Sequence, residues 1–346
     1  MAEFTTNAVA TTAPTTRAEA MDPAWLTQAL ARLTGGSRIT EVEVVEVIRT
    51  VATKIRFKVR WSDGEASLCL KAFLDMERPS AQGTVEADFY AQLAPHLDVR
   101  VPPCVATVAD RESGQGIVIM RDLIAEGATF CSALDPFSVD QAAASLEQLA
   151  RLHASAALLE RAPWVTPKVA ALVSWNIVSP EKLQELLHGS RGRNLDARTR
   201  DAGRLTAAMN ALAEADAAQP ATLVHGDFHA GNSYRTKDGP GLIDWQVIQR
   251  GGWALDVAYH LGAALPVETA ETHEWALLDH YLDQARRLGA SVPDADTART
   301  QYRTAMVYGF YMWAITTRVD PSIIEVFNDR LGKAVMRLGS YDVLSV

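Results

Sequence analysis

The hydrophobic pattern of this 346-residue chain changes its period once, and that change limits the folds the chain can adopt. Between residues 41 and 61 apolar and polar residues alternate, which is typical of half-buried β-strands. From residue 136 onward the apolar residues mostly recur at helical spacing. The sequence therefore predicts an α+β fold, with a small antiparallel sheet in its first third and a larger, mainly helical region after it.

The first third predicts a sheet with one inserted helix. A hairpin over residues 41–61 has its turn near residues 50–53, and the turn at residues 62–64 leads to a third strand. The elements are predicted over residues 41–61, 66–73, 80–97 (the helix), 105–108 and 117–120.

The remaining two thirds predict helices with one interruption. The helices are expected over residues 138–158, 180–188, 197–215, 267–288, 297–317 and 321–338. Between residues 221 and 256, two short apolar runs each end directly in a cluster of polar residues. Strands that deliver polar side chains to the rim of an otherwise helical region indicate an active site.

Composition and charge exclude several classes of protein. The chain has 33 basic and 42 acidic residues, so its net charge of −9 gives no general attraction for nucleic acid or anionic lipid. No apolar stretch approaches the ~20 residues of a membrane-spanning helix. The three cysteines show no C-x-x-C pair, which fits a reducing compartment. We therefore expect a cytoplasmic protein that binds neither nucleic acid nor membranes.

The length predicts about two domains. Residues 1–21 are rich in threonine and alanine, and Arg17 is their single basic residue. They lack the basic and apolar regions of a signal peptide. We expect residues 1–21 to form a disordered tail.

The two polar clusters contain the residue types that phosphoryl transfer requires. His225-Gly-Asp-Phe-His-Ala-Gly-Asn232 follows the first apolar run, and Asp244 follows the second. A carboxylate such as that of Asp227 can accept or orient the proton of an acceptor hydroxyl. An amide oxygen and a second carboxylate, from Asn232 and Asp244, are hard ligands that suit Mg²⁺.

This pattern, H-x-D-x-x-x-x-N with an aspartate after a later apolar strand, resembles the aminoglycoside phosphotransferase and choline kinase-like family. The resemblance extends over nearly the whole chain from about Trp25. It implies a bilobal protein kinase-like fold, with an amino-terminal lobe over residues 22–123 and a carboxy-terminal lobe over residues 124–346. It also implies an ATP- and Mg²⁺-dependent kinase that phosphorylates a hydroxyl group of a small molecule.

The resemblance assigns roles to five residues. Asp227 becomes the catalytic base or the carboxylate that orients the acceptor, and Asn232 and Asp244 become Mg²⁺ ligands. Lys71, on the third strand, corresponds to the lysine that contacts the α- and β-phosphates, and Glu86 corresponds to its ion-pair partner. A strand lysine or helix glutamate could equally be a solvated side chain.

Further roles follow from the same resemblance. Met120 would lie at the back of the adenine pocket, and backbone groups of Arg121 and Leu123 would bond the edge of the base. His225 would brace the catalytic loop by hydrogen bonds. Asp256 would start a helix, and its side chain would cap backbone amides or brace the catalytic loop.

The turn at residues 50–53 departs from protein kinases because it contains no glycine, whereas their G-x-G-x-x-G loop lets backbone amides approach the phosphates. The missing glycines argue against a protein kinase more strongly than they argue against ATP binding. Basic side chains on the same hairpin could supply positive charge, or they could form a solvated strand face. They are Arg49, Lys54, Arg56, Lys58 and Arg60.

Two other functions stay open. The chain could be a nucleotide-binding regulatory module without turnover, or a metal-dependent hydrolase that uses His225, Asp227 and His229, with His260 or His273 as a further ligand. Neither the nucleotide, ATP or GTP, nor the acceptor is fixed by the sequence.

Aromatic residues suggest one class of acceptor. Residues 308–313, with Trp164 and Trp175, could hold an apolar or aromatic alcohol, or they could simply pack helices together. An aminoglycoside would require a dense acidic cleft, which a net charge of −9 permits but does not locate.

Overall fold

The computed structural model describes residues 12–76 and 82–346, and within them the chain forms two compact units. The first unit runs to Thr129 and also includes Ile243–Val247, and the second comprises Phe130–Leu242 and Ile248–Val346. Over the described residues, no helix combines the length and apolar character that crossing a bilayer requires.

The first unit begins with three short helices, α1 (Arg17–Ala20), α2 (Pro23–Ala29) and α3 (Ala31–Thr34). The side chain of Thr16 accepts a hydrogen bond from the Glu19 N–H in a capping box, which fixes the start of α1. Asp22 caps α2 in front of a proline, as its sequence indicates.

The expected tail is therefore wrong for its described part, residues 12–21. Ala13 and Ala20 are buried in the core of the unit, and the Gln115 side-chain amide donates to the backbone carbonyl of Pro14. The prediction of a tail was based on a composition rich in threonine and alanine. Composition does not show that two of the alanines, Ala13 and Ala20, pack in the core of the sheet. Residues 1–11 lie outside the described part of the chain.

A five-stranded antiparallel sheet forms the centre of the first unit, in the order β1-β2-β3-β5-β4. The strands are β1 (Glu41–Arg49), β2 (Thr53–Trp61), β3 (Gly64–Ala72), β4 (Cys104–Ala109) and β5 (Gly116–Arg121), close to the predicted ranges. One face is apolar and packs against α2 with Ile55, Phe57, Leu68, Leu70, Ile117 and Ile119. The alternation of β2 and β3 leaves their polar residues on the other face.

Helix α4 (Gln82–Asp88) follows the sheet's third strand and continues as a π-helical turn (Phe89–Leu93) and a 3₁₀ turn (Ala94–His96). The predicted helix began at residue 80, which lies outside the described residues. A Cβ atom on Gly116 of β5 would lie 2.0 Å from the backbone carbonyl of Gly83. Helix and strand therefore touch through their backbones, and this contact fixes the depth at which α4 packs.

The second unit is mainly helical, as predicted. Its helices are α5 (Val139–Ala154), α6 (Val169–Ser174), α7 (Pro180–His188), α8 (Ala202–Ala217), α9 (Ala254–Ala264), α10 (Val267–Arg287), α11 (Ala295–Ile315), α12 (Pro321–Arg337) and α13 (Ser340–Val343). Short 3₁₀ turns lie at Ala156–Arg161, Ser190–Gly192 and Ala230–Asn232.

Short strands interrupt these helices. β7 (Thr222–Val224) pairs with β10 (Gln249–Gly251), and β8 (Ser233–Thr236) forms a hairpin with β9 (Gly239–Leu242). Two of these strands, β7 and β9, lie at the two apolar runs that the sequence indicates. A further strand, β6 (Thr129–Phe130), lies where the first unit ends and the second begins.

Four helices of the second unit differ from the predictions: α6 and α13, which are short, and α9 lie outside the predicted ranges, and α8 begins later than predicted. Helix α8 begins at Ala202 instead of residue 197, because the Asp201 side chain caps it by accepting from the Arg204 N–H. Helix α9 was not among the six predicted ranges. All of its residues from Ala254 to Ala264 are buried, so its sequence lacks the alternating polar face by which an amphipathic helix is recognised.

We expect Gly116→Ala to destabilise the protein, because the new methyl group would overlap the Gly83 backbone and force α4 away from β5. Overpacking of this kind costs about 1–3 kcal/mol of the free energy of unfolding, measurable by urea denaturation. Gly203→Ala in α8 is the matched control, because a Cβ there meets only the Asp201 carboxylate at 3.3 Å. Equal stability of the two variants would contradict the backbone contact.

Candidate active site

Lys71 on β3 is the centre of a buried ion cluster in the first unit. Its Nζ lies 2.7 and 3.0 Å from the two carboxylate oxygens of Glu86 on α4 and 2.9 Å from Oδ1 of Asp244. Lys71 is 4% exposed and Glu86 is 2% exposed. Because β3 is stiff and α4 is held against β5, the lysine ammonium has little freedom to move.

The segment that carries Asp244 is attached to α4. The Trp245 N–H donates to Oε1 of Glu86 at 3.2 Å, and the Trp245 ring stacks on Phe89 with centroids 3.9 Å apart. Asp244 has φ of +69°, in the left-handed region that residues other than glycine, asparagine and aspartate rarely occupy. The surrounding contacts thus hold Asp244 in a conformation that an isolated chain would disfavour.

The cluster contains one cation and two carboxylates. Burial disfavours the charged form of Lys71, but the attraction of Asp244 and Glu86 outweighs it and raises the pKa of the lysine. Burial, opposed by Lys71 and reinforced by Asp244, raises the pKa of Glu86. One ammonium thus faces two carboxyl groups, and this excess of acidic groups favours a further cation.

A second lysine lies beside this cluster. Lys54 on β2 pairs directly with Lys71 in the sheet, and its Nζ donates to Oγ1 of Thr50 at 3.1 Å. Burial and the neighbouring Lys71 lower the pKa of Lys54, although the cluster's carboxylates partly oppose this effect. The sequence analysis listed Lys54 only as one of several basic residues on the hairpin. Its position beside Lys71 depends on the register between β2 and β3, which the sequence alone does not give.

In the second unit, β7 delivers the polar loop that starts at His225. Oδ1 of Asp227 accepts a hydrogen bond from the Tyr259 hydroxyl at 3.0 Å. Nδ2 of Asn232 donates to the backbone carbonyl of Asp227 at 2.8 Å and to its Oδ2 at 3.1 Å. The 3₁₀ turn Ala230–Asn232 thus brings Asn232 back onto Asp227 across five residues.

Asp256 on α9 holds the backbone of this loop. It is fully buried, and its carboxylate accepts from the His225 N–H at 2.7 Å, the Gly226 N–H at 2.8 Å and Nε2 of His153 at 3.1 Å. Nδ1 of His225 accepts from the Asp227 N–H at 3.2 Å. Asp256 and His225 both fix the conformation of the loop, and Asp256 caps loop amides instead of its own helix.

Three tyrosines and a histidine complete this network, and the sequence analysis missed their roles. The Tyr308 hydroxyl donates to the Gly226 carbonyl at 2.6 Å, and Tyr281 contacts Nδ1 of His153 at 2.7 Å. Tyr259 lies one helical turn after Asp256 and against Gly309, where a Cβ atom would approach its ring to 2.5 Å. A single tyrosine in an apolar run carries no sequence signal for such a role.

In the segment after β5, two of the backbone groups predicted to bond the base are already hydrogen-bonded within the protein. The Arg121 N–H donates to the Pro103 carbonyl at 3.0 Å, and the Leu123 carbonyl accepts from the Ala128 N–H at 2.9 Å. These two backbone groups are engaged within the protein. The carbonyl of Arg121 and the N–H of Leu123 are the groups that stay as candidates for bonding a base, beside Met120 at the end of the strand.

The histidines of the hydrolase alternative do not form a metal centre. His225 and His229 both use Nδ1 to accept backbone N–H groups, and His260 packs in the core with Nε2 2.9 Å from Oγ of Ser145. Within residues 12–76 and 82–346, no three histidine, cysteine or acidic side chains are grouped as metal ligands.

The aromatic residues considered for an acceptor have different positions. Tyr308 and Trp313 are buried, and the Trp313 ring packs against His229 and Phe327. Trp175 is 53% exposed. The helix-packing alternative therefore holds for Tyr308 and Trp313.

Comparison with known proteins identifies the fold. The sequence model described as "Phosphotransferase enzyme family" matches residues 47–300. A choline kinase from Cryptosporidium parvum Iowa II superposes with a TM-score of 0.50 at 13% identity, over 89% of this chain and 89% of that one. The chain therefore has the protein kinase-like α+β fold that its sequence predicts.

Two further solved structures match with lower TM-scores. Choline kinase LicA from Streptococcus pneumoniae matches with a TM-score of 0.48 at 16% identity, over 91% of this chain and 98% of that chain. Macrolide 2'-phosphotransferase MphH from Brachybacterium faecium matches with a TM-score of 0.45 at 18% identity, over 87% and 96%. No curated protein sequence matches this chain.

We expect Asp256→Ala to destabilise the protein by about 3 kcal/mol or more, because it leaves the buried N–H groups of His225 and Gly226 without an acceptor. Urea denaturation measures this loss. Asp283→Ala on α10 is the control, since Asp283 pairs with Arg286 at the surface and should change stability by less than about 0.5 kcal/mol. A small effect at Asp256 would show that the loop does not depend on it.

We also expect His260 to make stability depend on pH. Burial lowers the pKa of His260 to about 4, whereas an unfolded chain binds this proton near pH 6.5. Between these values the unfolded state holds more protons, so stability falls as the pH falls. From pH 6.5 to 4.5, the wild type should lose about 2 kcal/mol more than His260→Gln in urea denaturation. The same pH dependence in both proteins would contradict this assignment.

Proposed function

Because the chain belongs to the phosphotransferase enzyme family, we propose that it transfers the γ-phosphate of ATP to a hydroxyl group of a small molecule, with Mg²⁺. The observation that carries this proposal is the contact of Lys71 with both Glu86 and Asp244. A buried ammonium fixed by two carboxylates is suited to binding a polyphosphate at a defined position. The structural neighbours named choline kinase and macrolide 2'-phosphotransferase support a small-molecule acceptor.

The donor groups of the chain fit Mg²⁺. The Asn232 amide nitrogen donates to Asp227, so its amide oxygen would be the ligand atom, and Asp244 would contribute a carboxylate oxygen while its Oδ1 contacts Lys71. Both are hard oxygen donors. Bound Mg²⁺ would offset the negative charge of the phosphates.

Asp227 would act on the acceptor. Its Oδ1 accepts from the Tyr259 hydroxyl and its Oδ2 accepts from the Asn232 amide, and we propose that the carboxylate held in this way faces the acceptor hydroxyl. As the acceptor oxygen bonds to the γ-phosphorus, the bond to the β–γ bridging oxygen breaks and ADP leaves. The hydroxyl proton passes to Asp227, whose orientation Tyr259 and Asn232 maintain.

The base of the nucleotide would bond the Arg121 carbonyl and the Leu123 N–H, next to Met120. These backbone groups carry one acceptor and one donor, so they do not by themselves distinguish ATP from GTP. Of Tyr308, Trp313 and Trp175, Trp175 is the exposed side chain, so it is the one of these three that we propose could contact an acceptor with apolar surface.

A screen of hydroxylated metabolites and antibiotics with Mg²⁺ and either ATP or GTP tests the proposal. Mass spectrometry should find one product that has gained a single phosphoryl group. ATP binding with no phosphorylated product over the whole screen would instead favour the regulatory module without turnover.

We expect Asp227→Asn to lower kcat for the acceptor found in that screen by about 100-fold or more, because it removes the group that takes the proton. The nucleotide Kd, measured by calorimetry, should stay within about twofold, since Asp227 contacts the acceptor. Asp244→Ala should weaken nucleotide binding as well as turnover. Asp238→Asn, in the exposed turn between β8 and β9, is the control that should change neither. Full activity of Asp227→Asn would refute its catalytic role.

A further inference from the structure

One face of the first unit's sheet carries a row of side chains between Lys71 and the end of β5. In the register of the sheet, Arg56 on β2 pairs with Cys69 on β3, and Cys69 pairs with Met120 on β5. Directly paired residues point to the same face, and so do residues two apart along a strand. Arg56 and Cys69 therefore lie on the face that carries Lys71, about 7 Å further along the strands.

Arg56 is fixed in this position by two carboxylates. Its Nε lies 3.1 Å from both oxygens of Asp122, and a terminal nitrogen lies 2.8 Å from Oε2 of Glu46 on β1. Asp122 is itself anchored, because its N–H donates to the Ser67 carbonyl and its Oδ1 accepts from the Ile124 N–H at 3.1 Å. The Arg56 side chain, 15% exposed, thus links β1, β2 and the segment after β5.

These contacts use the edge of the guanidinium and leave its flat faces unused by hydrogen bonds. The hydrogen bonds that Arg56 donates to Asp122, and then the one to Glu46, raise the pKa of Arg56, so the group stays charged. Beside it, burial raises the pKa of the Cys69 thiol to about 11, which keeps this neighbour neutral. The row therefore presents a planar cation next to an uncharged thiol and Met120.

We propose that the guanidinium of Arg56 forms the platform on which the nucleotide base stacks. The inference rests on the proposed function, in which the phosphates lie at Lys71 and the base edge bonds the backbone beyond Met120. The row of Arg56, Cys69 and Met120 is the part of the sheet face between those two ends.

The charge balance indicates a stacking role instead of a phosphate contact. Asp122 and Glu46 together compensate the charge of Arg56, so it contributes little net attraction to a phosphate. A guanidinium stacks on aromatic rings through its plane, and this contact does not read the edge of the base. ATP and GTP should therefore both use the platform.

Calorimetry with two ligands separates stacking from phosphate binding and needs no acceptor. The ligands are MgATP and Mg²⁺ with inorganic tripolyphosphate, which has the phosphates but no base. Arg56→Lys keeps the charge and removes the plane. We expect it to raise the Kd of MgATP, and of MgGTP, by about 3- to 10-fold. The Kd of tripolyphosphate should stay within about twofold.

The controls test charge and location. The double variant Arg56→Met with Glu46→Gln also keeps the net charge. It should raise the Kd of the nucleotides and leave the Kd of tripolyphosphate unchanged. Arg60→Lys lies on the same strand and face with an exposed ion pair to Glu41, and should affect neither ligand.

Three results would overturn the platform. They are an unchanged or lower MgATP Kd in Arg56→Lys, equal losses for both ligands, or an equal effect in Arg60→Lys. A wild type that binds neither ligand would overturn the proposed nucleotide-dependent function together with this inference. A wild type that binds MgATP while Arg56→Lys binds it equally well would overturn the platform alone.

Discussion

The ion cluster around Lys71 is the interaction on which the geometry of the first unit depends. A buried ammonium is stable only if its charge is paired, so Glu86 and Asp244 must both lie within reach of β3. That requirement fixes the position of α4, which the direct contact of Gly83 with Gly116 permits. Because Asp244 pairs with Lys71, residues 243–247 also belong to the first unit, although they lie far from it in the sequence.

In the second unit, a single helix fixes the position of the loop that starts at His225. Helix α9 contributes Asp256, which holds the loop backbone, and Tyr259, which holds the side chain of Asp227. Both groups lie on consecutive turns of a helix that is wholly buried, so they move with the core and not with the loop. A loop rich in polar residues thereby gains the rigidity that the proposed catalytic role of Asp227 requires.

The sequence predicted those parts of the molecule that leave a local pattern. Alternation on β2 and β3 placed Lys71 on a strand, and the resemblance of the two polar clusters to a known family was confirmed by the match over residues 47–300. Periodicity did not predict helix α9, because burial on every side removes the amphipathic pattern, and only the family resemblance implied a helix at Asp256. The link between Arg56 and Asp122 spans 66 residues, so only the folded sheet brings them together. The individual roles of the site residues stay predictions.

The left-handed backbone of Asp244 restricts what can replace it. Among the twenty residue types, glycine, asparagine and aspartate tolerate this conformation at low cost, and aspartate alone adds a negative charge. Backbone shape and the proposed role as a metal ligand would therefore select the same side chain for independent reasons. If Asp244 binds Mg²⁺ as proposed, a descendant of this chain that lost metal binding could change to asparagine or glycine there without strain, so the residue at position 244 in a relative would show whether the charge has been kept.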